Sequence, residues 1–187
     1  MNTPSEVTAV APRPPAYSRQ ALVVLMVAAL CALALDQVSK YLAVAQLSDR
    51  EPVRLLGGAV YLVLTRNSGA AFSLGRDHTF VFPAITLAVV VWIGWMARRL
   101  RSVPWAVALG LVLGGALGNL TDRIFRAPGP FVGWVVDFIS VFDPHGAGFP
   151  VFNLADSALS VGVALAILLE MTGRRRDGSR APGRDGA

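Results

Sequence analysis

Residues 135–158 read VVDFISVFDPHGAGFPVFNLADSA and hold two carboxylates in apolar surroundings. Asp137 lies between two valines and a Phe-Ile pair, and Asp156 follows Asn153 by three residues at the start of a long apolar run. A carboxylate with such neighbours is poorly solvated, and perturbed carboxylates are frequent at functional sites. We therefore interpret the stretch as a site where two aspartates are brought together to activate water at the edge of a membrane.

The composition is that of an integral membrane protein. Hydrophobic residues make up 54% of the 187 and charged residues only 16%, with a mean hydropathy of +0.55, whereas soluble domains carry about 25% charged residues. The formal charge of +5 comes almost entirely from arginines. These stand at the ends of apolar runs, as membrane topology requires, and form no stripe with interleaved aromatics, which argues against nucleic-acid binding. The single cysteine, Cys31, excludes a disulfide framework and a cysteine-based metal site, and its place in an apolar run suggests a small core residue.

Four apolar stretches predict membrane spans at about 21–45, 79–97, 104–121 and 151–171, which together make one domain over 21–172. The first could instead be a cleavable signal peptide with a cleavage site at 32–34. However, apolar sequence resumes after Asp36 and further spans follow, which favours a retained span. The polar segments 1–20, rich in proline, and 173–187, rich in Gly, Arg and Asp, are predicted to be disordered tails.

Arginine clusters determine the predicted orientation. They follow the second span at 98–101 and the fourth at 174–176, and two further arginines precede the first span. Because Lys and Arg collect on the cytoplasmic side, both termini are predicted to be cytoplasmic, and residues 46–78 and 122–151 lie outside. Within these outer segments, 60–65 is typical of a strand and predicts a small β-rich extracytoplasmic unit. Residues 131–142 are apolar but too short to span, which suits a short interfacial or re-entrant segment.

Helical spacing groups several polar residues within the predicted spans. Asp36 and Lys40 are four apart and would share a helix face as an ion pair, which is either purely structural or shapes a nearby site. Glycines repeat at 110, 114 and 118, a pattern typical of closely packed membrane helices. Gly115, Asn119 and Arg123 form a second line at the same spacing.

The predicted topology brings polar side chains from separate segments to one outer face. These residues are Asn67, Asn119, Arg123, Asp137, Asn153 and Asp156. Two close carboxylates cannot both ionise cheaply, so one keeps a proton. The ionised carboxylate can take a proton from water while the protonated one polarises a peptide carbonyl, as in aspartic proteases. Spacing alone leaves open that Asp137 and Asp156 are helix caps or ion-pair partners of Arg123.

Two other classes of function use the same residues. A small proton-coupled membrane transporter could employ the buried carboxylates as a relay, but transport sites tend to lie at the bilayer midplane on broken helices or repeats. Here the polar groups cluster at one face, and the sequence contains no internal repeat. A non-enzymatic assembly protein held together by the glycine line would leave the buried aspartates without a role.

Five motifs in order make the chain resemble the lipoprotein signal peptidases (prolipoprotein signal peptidase, signal peptidase II). They are DQVSK at 36–40, RNSGAAF at 66–72, GGALGNLTDR at 114–123, VVDF at 135–138 and FPVFNLADS at 149–157. Each alone is a weak signal, whereas all five together with four spans are highly specific. The resemblance covers roughly residues 21–172 and includes neither tail.

This resemblance implies a four-span peptidase of the bacterial cytoplasmic (inner) membrane that cleaves diacylglyceryl-modified prolipoproteins just before the lipidated cysteine. Asp137 and Asp156 would form the catalytic dyad at the extracytoplasmic face, and Asp122 would pair with an arginine. The residues that would line or support the substrate site are Asp36, Lys40, Asn67, Gly115, Asn119, Arg123 and Asn153. We expect no metal and no cofactor, prolipoproteins and membrane lipid as partners, and a monomer.

Overall fold

The computed structural model describes residues 17–69 and 81–180, in which four helices and one small sheet are formed. The helices are α1 (Arg19–Leu47), α2 (Val81–Ala97), α3 (Val103–Phe125) and α4 (Leu154–Met171), and the strands are β1 (Val53–Leu55), β2 (Val60–Asn67) and β3 (Val135–Val141). Three helices, α1, α3 and α4, are long and apolar enough to cross a membrane, and α2 is a shorter apolar helix. The structure is therefore mostly helical with a small sheet, as predicted, while four membrane spans remain a prediction.

The helices present apolar side chains to their surroundings. Leu30 of α1, Val91 of α2 and Ile167 of α4 are each more than half exposed. In water such faces would form large apolar patches, whereas lipid solvates them. Cys31 is also exposed on α1, so its predicted place in the core is wrong: the hydrophobic run that contains it faces outward at this position.

Helix α3 packs against the other three helices and forms the centre of the bundle. Its glycines at 110, 114 and 118 face α1, and a methyl group on Gly118 would lie 2.5 Å from Oδ2 of Asp36. Gly115 faces the opposite way, where an added methyl group would meet the carbonyl of Ala155 in α4. The two glycine lines thus let α3 approach α1 and α4 at backbone distance, as small residues do in membrane bundles.

The sheet has the antiparallel order β1-β2-β3. In the β2–β3 ladder Val60 pairs with Val141 and Asn67 pairs with Val135, with an irregularity between Leu62 and Thr65. The predicted β-rich unit is therefore present, and it extends to a strand that the sequence pattern did not indicate.

That additional strand is β3, which lies within the segment 131–142 that was predicted to be interfacial or re-entrant. Residues 135–141 form a strand because pairing with β2 satisfies backbone groups that a short isolated segment would leave unpaired, while an interfacial location stays a prediction. Val136 and Phe138 of β3 are buried against Ala43 and Leu47 of α1. A nearly continuous apolar run does not distinguish a buried strand from a buried helical segment, which is why the pattern failed here.

The two ends of the described chain also differ from the predicted tails. Residues 173–180 are ordered, with Arg174 paired to Arg180 across a short turn. The backbone N–H groups of Arg101 and Ser102 both donate to the carbonyl of Arg176, at 2.9 and 3.0 Å, and attach this segment to the loop between α2 and α3. At the other end α1 begins at residue 19. Residues 1–16 and 181–187 of the predicted tails lie outside the described residues.

Candidate active site

Asn153 links Asp137 and Asp156. It is fully buried and caps the N-terminus of α4. Its Nδ2 donates to Oδ1 of Asp137 at 2.6 Å, and its backbone N–H donates to Oδ2 of Asp156 at 3.2 Å. In return, the backbone N–H of Asp156 donates to Oδ1 of Asn153 at 2.9 Å. This reciprocal capping box fixes the start of α4, so the capping role that spacing left open for Asp156 is present and coexists with its position beside Asp137.

Asp137 accepts hydrogen bonds from two amide side chains, one on β2 and one at the start of α4. Strand β3 places it opposite Thr65, and only 2% of its surface is exposed. Asn67, at the end of β2, donates its Nδ2–H to Oδ2 of Asp137 at 3.0 Å. The amide orientation of Asn67 is determined because its Oδ1 accepts the backbone N–H of Gly69 at 2.8 Å. Each carboxylate oxygen of Asp137 therefore accepts one amide N–H.

The environment of Asp137 makes its proton harder to remove. Burial raises the pKa of this carboxyl from its usual value of 3.8 to about 6, and the neighbouring charge of Asp156 acts in the same direction. The hydrogen bonds from Asn67 and Asn153 and the positive charge of Lys40 act in the opposite direction. Desolvation is the largest cause, as expected for a carboxyl almost without water contact.

Asn119 of α3 orients Asp156. Its Nδ2 donates to Oδ1 of Asp156 at 2.8 Å, while its Oδ1 accepts from Nζ of Lys40 at 2.9 Å and from Nδ2 of Asn153 at 3.2 Å. An ammonium group can only donate, so Lys40 requires the amide oxygen of Asn119 to face it. The amide NH₂ is consequently turned toward Asp156.

Lys40 is the centre of a buried ionic cluster. It is fully buried, and its Nζ lies 2.9 Å from Oδ2 of Asp36 and 2.9 Å from Oδ2 of Asp122. With Asn119 these are three acceptors for the three N–H bonds of the ammonium. The pairing of Asp36 with Lys40 is present as its spacing predicts, and Asp122 also pairs with an arginine, since Nε of Arg126 lies 2.5 Å from its Oδ1. The contact between Lys40 and Asp122 joins two helices, so no spacing rule could have found it.

Asp36 and Asp122 also bind the backbone just before each candidate catalytic residue. Oδ1 of Asp36 accepts the N–H of Ala155 in the first turn of α4, at 2.9 Å. Oδ2 of Asp122 accepts the N–H of Val136 in β3, at 3.2 Å. The next residues along the chain are Asp156 and Asp137. The Lys40 cluster therefore connects α4 to β3 without itself lining the cavity.

A cavity of about 410 Å³ opens beside the two aspartates. Its polar lining residues are Asn67, Thr86, Asn119, Arg123, Asp137 and Asp156. Its apolar walls come from α2, α3 and α4, and include Ile85, Val89, Ala116, Leu159 and Val163. Such a cavity, apolar with a few convergent polar groups at one end, is typical of ligand-binding sites.

Arg123 lies on the wall of this cavity beside Asp137. Its side chain is 6% exposed, and its Nη1 donates to the carbonyl of Gly133 at 3.2 Å. The guanidinium offers only donors, so this wall can bind carbonyl or carboxylate oxygens of a ligand. Asn67, with its amide already engaged at Asp137, lies on the same wall.

Four of the predicted site residues lie behind the cavity lining. Asn153 is buried between the two aspartates. Asp36 and Lys40 are in the buried ionic cluster, and Gly115 contacts the backbone of α4. These four residues support the lining groups from behind.

Sequence reasoning missed the role of Gln37. Its Nε2 donates to Oδ2 of Asp36 at 3.0 Å and to the carbonyl of Gly118 at 3.1 Å, which ties α1 to α3 beside the ionic cluster. Its place in the DQVSK motif was the available signal. Within residues 17–69 and 81–180, no group of three His, Cys, Asp or Glu side chains is arranged to hold a metal ion.

Comparison with known proteins identifies relatives over most of the chain. The family described as signal peptidase (SPase) II matches residues 28–172. A lipoprotein signal peptidase of Streptomyces coelicolor is 50% identical over 161 residues, which cover 86% of this chain and 76% of that protein. One from Mycobacterium tuberculosis is 48% identical over 163 residues, with coverages of 87% and 76%.

Solved structures agree with this relationship. A bacterial membrane enzyme structure matches with a TM-score of 0.69 at 28% identity, covering 83% of this chain and 95% of the other. A second bacterial membrane enzyme structure matches with a TM-score of 0.68 at 26% identity, covering 89% of this chain and 97% of the other. The resemblance drawn from the five motifs is confirmed, and the chain belongs to the signal peptidase II family.

Proposed function

We propose that this chain is an aspartic endopeptidase that removes signal peptides from diacylglyceryl-modified prolipoproteins by cleaving before the lipidated cysteine. Membership of a peptidase family supports the reaction class. The observation that supports the catalytic type most directly is the bridge of Asn153 between Asp137 and Asp156 at the polar end of an apolar cavity. The two carboxylates there are buried or half-buried and have every oxygen oriented by an N–H donor.

The balance of charge in the site and its supporting cluster favours a dyad that holds one proton. Three cations and four carboxylates belong to the site and its supporting cluster, namely Lys40, Arg123, Arg126, Asp36, Asp122, Asp137 and Asp156. One shared proton makes this group neutral, and unbalanced buried charge is costly. Burial, which raises the pKa of Asp137, acts in the same direction.

The proposed reaction follows from this protonation state. The ionised aspartate takes a proton from a water molecule, whose oxygen attacks the carbonyl carbon of the peptide bond before the lipidated cysteine. The protonated aspartate transfers its proton to the carbonyl oxygen, which gives a neutral tetrahedral diol. The C–N bond then breaks, a proton passes to the departing amine of the cysteine, and the other product is a carboxylic acid.

The apolar part of the cavity suits the acyl chains of the substrate. Helices α2 and α4 both pack on α3, and each contributes apolar side chains such as Ile85 and Val163 to the cavity wall. We infer that the diacylglyceryl group lies against this wall, so that the modified cysteine reaches Asp137 and Asp156 without leaving the lipid phase. Arg123 and Asn119 are placed to contact the peptide as it crosses the polar end.

The proposed orientation follows the arginines. The clusters at 98–101 and 174–176 lie at the ends of α2 and α4 that are remote from the dyad. The positive-inside rule assigns that end to the cytoplasm, so we place both termini in the cytoplasm and the dyad at the extracytoplasmic face of the bacterial inner membrane. We propose that the protein works there as a monomer.

The test uses purified full-length protein and a synthetic diacylglyceryl-modified prolipoprotein peptide, with cleavage followed by mass spectrometry. Asp137→Asn and Asp156→Asn should each lower kcat by at least about 100-fold, since each removes one proton-transfer group. The matched control is Asp143→Asn, an acid in an outer turn, which should cleave at the rate of the unmodified protein. Near-normal cleavage by either dyad variant would refute the aspartic mechanism, and equal cleavage of the unlipidated peptide would refute the substrate assignment.

Asp122 needs a separate experiment because it is acidic and close to the dyad. Asp122→Asn should weaken the cluster around Lys40, lowering the unfolding temperature together with a partial loss of cleavage. Complete loss of cleavage at an unchanged unfolding temperature would instead make Asp122 a catalytic candidate.

A further inference from the structure

A second cavity, of about 470 Å³, lies at the end of the bundle opposite the sheet. We call it the arginine groove, and its charged lining residues are Arg98, Arg99, Glu170, Arg175, Arg176 and Asp177. Four arginines line it against two carboxylates. An anion is therefore the ligand that this lining favours electrostatically.

Hydrogen bonds to backbone carbonyls fix the C-terminal segment that carries two of these arginines. The carbonyl of Arg176 accepts two backbone N–H bonds from the α2–α3 loop, at 2.9 and 3.0 Å. Nε1 of Trp105 donates to the carbonyl of Arg174 at 2.7 Å, and the guanidinium of Arg176 lies 5.8 Å from the centre of the Trp105 ring. Topology alone accounts for arginines at this end, but it does not require the segment to be tied back so that Arg175 and Arg176 share one groove with Arg98 and Arg99.

Apolar surface adjoins the groove. Trp95 lines it and is 64% exposed, and on α4 Met171 follows the lining residue Glu170 and is 81% exposed. Trp92 and Leu168, further into the apolar parts of α2 and α4, are each about half exposed. The groove thus joins a cationic pocket to two lipid-facing helix surfaces. A free anion would use only the first of these features, whereas an anionic lipid would use both.

We propose that the arginine groove binds the phosphate headgroup of an anionic phospholipid whose acyl chains lie along α2 and α4. The guanidinium groups donate to the phosphate oxygens, a pairing for which their planar fork is suited. The exposed indole of Trp95 sits at the headgroup level, where interfacial tryptophans collect. The site is at the opposite end of the bundle from the dyad and does not depend on the proposed cleavage reaction.

The experiment measures lipid binding to the purified full-length protein in a neutral detergent. Phosphatidylglycerol and phosphatidylcholine with the same acyl chains are titrated, and bound lipid is counted by native mass spectrometry. Phosphatidylglycerol should bind about 30-fold more tightly, the factor expected from two arginine contacts with its net charge at roughly fivefold each. The double variant Arg99→Gln/Arg175→Gln should weaken it by about 30-fold, since each arginine near a lipid headgroup contributes roughly a fivefold factor. The matched control is Arg50→Gln/Arg54→Gln, which removes the same charge at the sheet end and should bind like the unmodified protein.

Three results would overturn the proposal. Equal binding of the two lipids would remove the charge selectivity, and undiminished binding by the groove variant would place the lipid elsewhere. Inorganic phosphate that competes for the groove as tightly as phosphatidylglycerol would show a free-anion site instead of a lipid site. If the double variant does not fold, the single variants Arg99→Gln and Arg175→Gln should each weaken phosphatidylglycerol about fivefold. Cleavage of the prolipoprotein peptide in neutral detergent should be unchanged in these variants, which separates this site from the peptidase reaction.

Discussion

Replacing Asp137 by asparagine should change stability by an amount that depends on pH. Burial raises the pKa of Asp137 to about 6 in the folded protein, against 3.8 for the ordinary side chain. The folded state therefore holds the proton more tightly than the unfolded state, and stability falls as pH rises between these values. Ionisation of the buried Asp137 therefore destabilises the folded protein. This effect is absent below about pH 4, grows between about pH 4 and 6, and is constant above that range. Since a difference of one in pKa corresponds to ~1.4 kcal/mol, the rise from 3.8 to about 6 lowers the free energy of unfolding by about 3 kcal/mol once Asp137 is ionised.

The variant Asp137→Asn lacks this ionisation cost at every pH, because an amide does not titrate. However, its new NH₂ group faces the NH₂ donor of Asn67, whose orientation is set by the bond to Gly69. That unmatched contact costs about 1–3 kcal/mol at all pH values. The variant should therefore be less stable than the unmodified protein at about pH 4 and equally or more stable at about pH 8.

Thermal unfolding of the two purified proteins between about pH 4 and 8 measures this directly. For a chain of this length about 1 kcal/mol corresponds to roughly 2–4 °C, so the difference in Tm should change by about 6–12 °C across the range. The control is Asp143→Asn. Hydrogen bonds from the backbone N–H groups of Ala147 and His145 lower the pKa of Asp143 from its usual value of 3.8. Its contribution to stability is therefore lost only at more acidic pH, and the Tm difference for this control should be flat between about pH 4 and 8. A Tm difference for Asp137→Asn that is flat with pH, or that favours the variant at the acidic end, would refute the reasoning.

Three further substitutions test the supporting structure. Lys40→Met leaves the buried Asp36 without its cation and should destabilise the fold by about 3–5 kcal/mol; an unchanged Tm would contradict a stabilising role for the cluster. Asn119→Leu removes a donor to Asp156 and should lower kcat about 10–100-fold, as expected for a lost hydrogen bond to a charged group, while full activity would show that this bond is dispensable. Gly115→Ala should cost about 1–3 kcal/mol through its clash with α4. Gly94→Ala, inside α2 and with open space at its Cβ, should leave Tm unchanged or raise it, because alanine favours a helix more than glycine does; a loss at Gly94 equal to that at Gly115 would argue against close packing at Gly115.

Features that depend on local pattern were predictable from the order of the amino acids. Long apolar runs indicated the helices, because a helix that crosses a bilayer must consist mainly of consecutive apolar residues. The four-residue spacing of Asp36 and Lys40 predicted their ion pair, since helix geometry alone places such residues together. The motifs around Asp137 and Asp156 indicated the family, and comparison with known proteins confirmed it.

Contacts between distant segments became known only from the folded chain. The apolar run around Val136 becomes a strand because β2 is there to pair with it, and its pattern alone suits a helix equally well. The bond from Lys40 to Asp122 joins α1 to α3, and the bridge of Asn153 joins α4 to β3, so neither follows from any periodicity. The C-terminal segment has a polar composition typical of a disordered tail, and hydrogen bonds to the α2–α3 loop order it through residue 180. Local propensity therefore specified the helices, while burial and hydrogen bonding between distant residues assembled the site.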